Sequence, residues 1–464
     1  MNSVLLEALE LSKPMQEETV KVSSIAKQVK ESIIKYASST KIKDVVLGGS
    51  YAKGTWLKGD VDIDVFVKMD SSIKEEEFER LGKQIGLGSL KEYEPYLRYS
   101  DHPYVEAFVD GIRVNVVPCY DVEKWNWISA ADRSPFHTEY VTTKLDERKK
   151  DHVRLLKKFL KSLGIYGAEI AKNGFSGYVT EVLILKYGSF QSTLEALSHI
   201  QEKEEKVIIS TEPVDEETTN KIFEHSIIIL DPTDPKRNLG TAISVENFGK
   251  FILAARAFLK EPSIEFFILK KEEEVAKNKK KKAKMMMIKE GITTTNNFSD
   301  IYPNILVVRF NYSKRSPDVI WGQLKKSMNA ISKQLALGGF NIIRTVCTTD
   351  ELTEAAFIFL LESTTIPSYM VKTGPKVLRG HESNRFISKN NNIARSMWID
   401  NEMRIAILMA RKITNAKEYI RFLLSERIDS IGITKGLISD LKNETQIYTA
   451  NETETKTETR FTYL

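Results

Sequence analysis

Apolar residues at Val20, Ile25, Val29, Ile33 and Ile34 recur at helical spacing and predict a long amphipathic helix over 14–38. The pattern then becomes strand-like at 44–48, 61–68, 104–109 and 112–117, with Asp110-Gly111 as a hairpin turn between the last two. Helical spacing returns at 149–163, where Leu155, Leu156, Phe159, Leu160 and Leu163 share one face and Gly164 supplies the stop. Further helices are expected over 177–198 and 245–260. Between them, Ser226-Ile227-Ile228-Ile229-Leu230 reads as a buried strand ended by Asp231-Pro232. Residues 305–312, 317–336, 340–346 and 354–362 give the order β-α-β-β, and 400–441 reads as helical. The polar end, NETETKTETR, is expected to fray.

Bulk properties narrow the class. A chain of 464 residues is too long for one ordinary core, so several domains are expected. Hydrophobic and charged fractions of 42% and 28% fit a soluble globular protein. A net charge of +5 permits an anionic partner without requiring one. Cys119 and Cys347 alone imply neither a disulfide framework nor a zinc site. The acidic start, without a basic n-region, is unlike a signal peptide, and no apolar run reaches 18 residues. A cytoplasmic location away from membranes is therefore expected. Eight lysines in 270–284 form either a solvated helix face or a salt-dependent contact for phosphates.

The chemistry is concentrated in 45–67, VVLGGSYAKGTWLKGDVDIDVFV. Residues two apart on a strand share a side, so Asp62 and Asp64 project together while Val61, Ile63 and Val65 face the core. Adjacent carboxylates repel unless a cation neutralises them, and hard oxygen donors suit Mg²⁺. Alone, Asp-x-Asp is read more readily as solvated acids on the outer face of an edge strand than as a metal site. Gly48-Gly49-Ser50 changes the picture, because glycines admit a ligand close to the backbone and a following helix start attracts anions. Lys53 adds a cation one turn on.

Gly-Ser, then eleven intervening residues, then Asp-x-Asp is the signature of the DNA polymerase β-like nucleotidyltransferases. The fuller stretch resembles the archaeal (class I) CCA-adding enzymes. The resemblance continues through VNVVPCY (114–120), DRSPFH (132–137), VRLLKKFLKSLGIYGAE (153–169), GFSGYVTEVLILKYGSF (174–190), DPTDPKRN (231–238) and GPKVLRGHESNRFISKN (374–390). It implies a multidomain α+β chain: a polymerase-β-like catalytic head at 1–140, a helical and mixed neck completing the nucleotide pocket at 141–260, and a tRNA-binding α/β body and tail at 261–464. It further implies template-independent addition of C, C and A to the 3′ end of tRNA from CTP and ATP, with Mg²⁺ and release of pyrophosphate.

By the same resemblance Asp62 and Asp64 are catalytic metal ligands. Gly49, Ser50, Lys53, His137, Lys157 and Tyr166 face the triphosphate, and Arg237 lies near the incoming base. Arg379, His381, Asn384 and Arg385 are the tail candidates for tRNA, and a homodimer stays open. One position departs from the family: Asn115 stands where a third metal carboxylate is expected. An amide oxygen can coordinate Mg²⁺ but brings no charge, so a weakened second-metal site is expected. A poly(A) polymerase-type enzyme and a non-catalytic RNA- or nucleotide-binding relative are the alternatives.

Overall fold

The computed structural model describes residues 1–37, 41–99, 103–200, 206–268, 304–443 and 445–449. The lysine-rich run 270–284 and the polar C-terminal stretch lie outside them. Two compact units divide the chain, Met1–Thr293 and Thr294–Leu464.

The first unit begins with α1 (Asn2–Ser12) and α2 (Gln16–Ala37), then β1 (Ile42–Gly48), α3 (Gly49–Lys53) and β2 (Asp62–Asp70). Next come α4 (Glu75–Ser89), β3 (Tyr96–Tyr99), β4 (Pro103–Val109) and β5 (Ile112–Asp121). Strand order is β1-β2-β5-β4-β3, with β2 and β5 parallel and the other pairs antiparallel. The period-two reading holds: Ile63, Val65, Val114, Val116, Val105 and Ala107 are buried under Val22, Ile25, Val29 and Ile33 of α2 and Phe78 and Ile85 of α4. With one face covered, the polar residues of the same strands are left on the other. Asp110 and Gly111 both take positive φ (49° and 81°), as a two-residue hairpin turn requires.

The chain continues through α5 (Arg133–Lys144), α6 (Glu147–Ser162), α7 (Gly177–Tyr187) and α8 (Phe190–Ser198). It goes on to β6 (Val207–Ile209), α9 (Glu216–Ile222), β7 (Ile227–Asp231), β8 (Asp234–Asn238) and α10 (Val245–Lys260). Phe159 centres a cluster with Phe190, Phe251, Phe258, Phe266 and Phe267. Ala8 of α1 joins this core. The expected helix 177–198 is two helices: Gly188 ends α7 at φ 84°, and the Ser189 hydroxyl caps α8 by accepting from Ser192 N.

In the second unit β9 (Ile305–Asn311), α11 (Pro317–Gly338), β10 (Ile342–Thr349) and β11 (Glu354–Leu361) follow the expected β-α-β-β order. There follow β12 (Tyr369–Lys376), α12 (Gly380–Asn390), β13 (Ala394–Ile399), β14 (Arg404–Ala410), α13 (Ala416–Glu426), α14 (Lys435–Asn443) and β15 (Gln446–Thr449). Two sheets form, β10-β11-β9-β15 and β12-β14-β13. Reading 400–441 as wholly helical is corrected: Ile405, Ala406 and Ile407 are buried in a central strand, because a short apolar run carries no period of its own.

Candidate active site

Gly48 ends β1 and Gly49 turns the chain at φ 63° into α3, a helix of five residues closed by Gly54 at φ 68°. So short a helix has little dipole, and the positive character here comes mainly from side chains. A Cβ on Gly49 would lie 1.9 Å from Asp64 Oδ2, so the glycine turn and the carboxylate are packed against each other.

Parallel pairing of β2 with β5 sets Asp62 beside Arg113 and Asp64 beside Asn115. The Arg113 guanidinium grips Asp62 with two hydrogen bonds, Nε to Oδ1 at 2.7 Å and Nη2 to Oδ2 at 2.6 Å. Asn115 Nδ2 donates to Asp64 Oδ1 at 2.9 Å, while its Oδ1 is buried without a partner. Burial, together with the neighbouring Asp62, holds the Asp64 carboxyl above its ordinary value, although the Asn115 bond opposes this. Among the described residues no group of three His, Cys, Asp or Glu side chains could hold a metal. Glu106, opposite Asn115 on β4, accepts from Tyr96 Oη and from Arg98 instead. Two carboxylates and one orphaned amide oxygen remain, and this all-oxygen set fits a hard cation such as Mg²⁺.

The helices of the second half of the unit supply the rest. Lys53 Nζ donates to Glu181 of α7 at 2.8 Å, and Lys157 Nζ of α6 lies 3.5 Å from the same carboxylate. Lys157 also donates to Thr55 O and Oγ1, both at 3.1 Å. Burial pulls Lys157 down to about 8, against the pull of Glu181. A Cβ on Gly177 would lie 3.0 Å from Tyr166 Oη and 3.7 Å from Lys157 Nζ, so Tyr166 and Lys157 flank the start of α7. Burial pushes the Tyr166 hydroxyl upward, and it stays protonated.

His137 and Arg237 meet at Asp231. His137 Nε2 is 2.9 Å from Asp231 Oδ2, and Arg237 Nη1 donates to the same oxygen at 3.3 Å. Tyr178 Oη donates to Oδ1 at 3.0 Å, and Thr233 donates to it from N and Oγ1. Burial lowers His137 despite Asp231, so the ring is neutral near pH 7. Burial alone would raise Asp231, but its donors outweigh that and keep it ionised. The His137 ring stacks on Tyr178 at 3.9 Å, and Lys53 Nζ sits 4.9 Å from the Tyr178 centroid. Asp231→Asn loses acceptor capacity within this buried set and is expected to cost about 1–3 kcal/mol. Urea unfolding checks this, and an unchanged midpoint would show the hub is dispensable.

The expected residues thus fall into three groups: Gly49, Asp62, Asp64 and Asn115; Lys53, Lys157 and Tyr166; and His137 with Arg237, joined through Asp231. Ser50 lies in the first turn of α3, beside Gly49. Sequence reading missed Arg113, Tyr178, Glu181 and Asp231. Glu181 did leave a signal: it is the only carboxylate in GYVTEVLILKY, a helix otherwise apolar on nearly every side, where a charge needs a buried partner.

A five-stranded sheet with an aspartate pair behind a glycine turn defines a nucleotidyltransferase, and the nucleotidyltransferase domain family matches residues 26–141. The second domain of tRNA nucleotidyltransferases matches 151–268, and the C-terminal domain of CCA-adding enzymes matches 303–449. The CCA-adding enzyme of Saccharolobus solfataricus is 36% identical over 408 residues, covering 88% of each chain. That of Pyrobaculum neutrophilum is 36% identical over 382 residues, covering 81% of this chain and 83% of its own. The chain belongs to the family of archaeal CCA-adding enzymes, and it is an enzyme. Among the described residues no helix is long and apolar enough to cross a membrane.

Proposed function

We propose that this enzyme adds C, C and A in order to the 3′ end of tRNA, from CTP and ATP, without a nucleic-acid template. The terminal ribose hydroxyl attacks the α-phosphate, a new P–O bond forms, and the bond to the β-phosphate oxygen breaks to release pyrophosphate. The observation that carries this reading is the pair Asp62 and Asp64 on one sheet face, beside Arg113 and Asn115, with Asp64 packed against the Gly49 turn. Asp62, Asp64 and the Asn115 amide oxygen would hold Mg²⁺, which when bound supplies Lewis-acid neutralisation of phosphate charge.

Gly49 and Ser50 admit the triphosphate, and Lys53 and Lys157 balance its charge. His137, as a neutral ring, and Tyr166 serve as hydrogen-bond donors to its oxygens. Arg237 is about two-fifths exposed, which leaves part of its guanidinium free for the incoming base. The head, 1–140, and neck, 141–260, close the pocket from two sides. The body and tail, 261–464, hold tRNA by shape, with Arg379, His381, Asn384 and Arg385 at or near α12 as contacts. The deciding experiment incubates the enzyme with tRNA lacking CCA and each labelled nucleotide. Ordered incorporation of C, C and A is expected. Extension by A alone would replace this reading with a poly(A) polymerase-type one, and tRNA binding without transfer would overturn it.

Asn115→Asp tests the metal site. Without metal, a third carboxylate beside Asp64 repels it and lowers the melting temperature. With Mg²⁺ or Mn²⁺ the variant gains more stability than wild type, because a ligand that binds only the folded state stabilises it by mass action. Mn²⁺ titration is expected to show about tenfold tighter binding, in line with one added charged contact. Equal affinities would remove Asn115 from the site.

A further inference from the structure

Three ionisable groups lie buried together where α3, α6 and α7 meet. Glu181 is 1% exposed, Lys157 2% and Lys53 6%. The carboxylate takes Lys53 Nζ at 2.8 Å on Oε2, and on Oε1 it takes Thr55 Oγ1 at 2.6 Å and Lys157 Nζ at 3.5 Å. Two ammonium groups this close to one another out of water repel, and each is costly to bury alone. One carboxylate between them offsets both effects. Burial alone would raise Glu181, but the two lysines and its hydrogen bonds reverse this and keep it ionised.

We infer that Glu181 is a positioning residue for nucleotide binding: it holds Lys53 and Lys157 together and charged so that both present to the triphosphate. This rests on the reading of the two lysines as triphosphate contacts. Lys53 follows directly from the Gly49-Ser50 turn, so the same carboxylate also fixes α3 to the neck helices. Lys157 is faced by Glu181 from α7, by Lys53 from α3, by Arg154 from its own helix and by the Tyr166 hydroxyl. Glu181 is the one anion in that set. Removing its charge leaves Lys157 among cations and a neutral phenol, and the lysine gives up its proton more readily.

The test is calorimetric binding of CTP with Mg²⁺ to the full-length enzyme between pH 6.5 and 9. In wild type, binding weakens as pH rises through about 8, where Lys157 loses its proton. In Glu181→Gln the shape is kept and the charge lost. That weakening is expected to begin about one pH unit or more lower. At pH 8 the affinity falls about tenfold, and it recovers as pH is lowered. Burial lowers His137, so its own titration lies on the acid side of the window near 8 in which wild-type Lys157 loses its proton. Glu181→Asp is expected to restore most of the wild-type profile, and it carries the test where Gln impairs folding.

A Glu181→Gln profile parallel to wild type, weaker by one factor at every pH or not at all, overturns the inference. Lys157→Met separates the two readings. If it leaves CTP binding unchanged, the triphosphate assignment itself fails. If it weakens binding while the Glu181→Gln profile stays unshifted, only the role of Glu181 fails.

Discussion

Asp64→Asn abolishes nucleotide transfer, by about a thousandfold or more, and raises the melting temperature. The rate loss follows from removing one of two carboxylates that would hold the metal, an interaction worth several kcal/mol in phosphate chemistry. The gain in stability follows from linkage. The Asp64 carboxyl sits above its ordinary value, so the folded chain binds that proton more tightly than the unfolded chain. Its contribution is therefore favourable at low pH and is lost as pH rises through the window from 3.8 up to the raised value. At neutral pH the charge is a burden that asparagine does not carry. Asparagine also keeps an oxygen for the Asn115 amide. Labelled CMP incorporation and thermal melting measure the two effects. Transfer within tenfold of wild type would remove Asp64 from the chemistry.

Gly49→Ala lowers transfer about a hundredfold and destabilises the fold. Its φ of 63° costs a side chain about 1–2 kcal/mol. Its Cβ would also lie 1.9 Å from Asp64 Oδ2 and 2.9 Å from Cγ, so the carboxylate must shift away from the turn at residue 49. A displacement of that size at a reacting centre costs on the order of a hundredfold in rate. Gly59→Ala separates the causes: φ there is 70°, but no atom lies within 4 Å of the new Cβ. It should lose similar stability and keep its transfer rate. Equal rate losses in both variants would mean that backbone strain, not the contact with Asp64, is responsible.

Much of this site is legible residue by residue. The alternation of Asp62 and Asp64 with Ile63 and Val65 announces one polar and one buried face, since side chains on a strand alternate whatever the strand pairs with. Helices such as α2, α6 and α11 follow from apolar spacing alone. Local pattern fails where pairing decides. Asp234–Asn238 reads as DPKRN, with no strand propensity, and is a strand because it pairs with β7 at the sheet edge. Arg404–Ala410 is a strand for the same reason, where the sequence alone suggested a helix.

Residue type and short-range period alone are enough for the carboxylate pair, the glycine turn before it and the asparagine at position 115, and they mark Glu181 as out of place in its apolar helix without giving it a role. What these groups meet depends on how the distant parts of the chain fold together. That Arg113 grips Asp62, that Asn115 leaves one oxygen orphaned beside Asp64, that Asp231 gathers His137, Tyr178 and Arg237, and that one glutamate serves two lysines all depend on long-range pairing. Lys53 and Glu181 are 128 residues apart along the chain. They meet because α6 and α7 pack together and carry Glu181 to the side chain at the end of α3, and a buried charge is tolerated only where its opposite arrives with it.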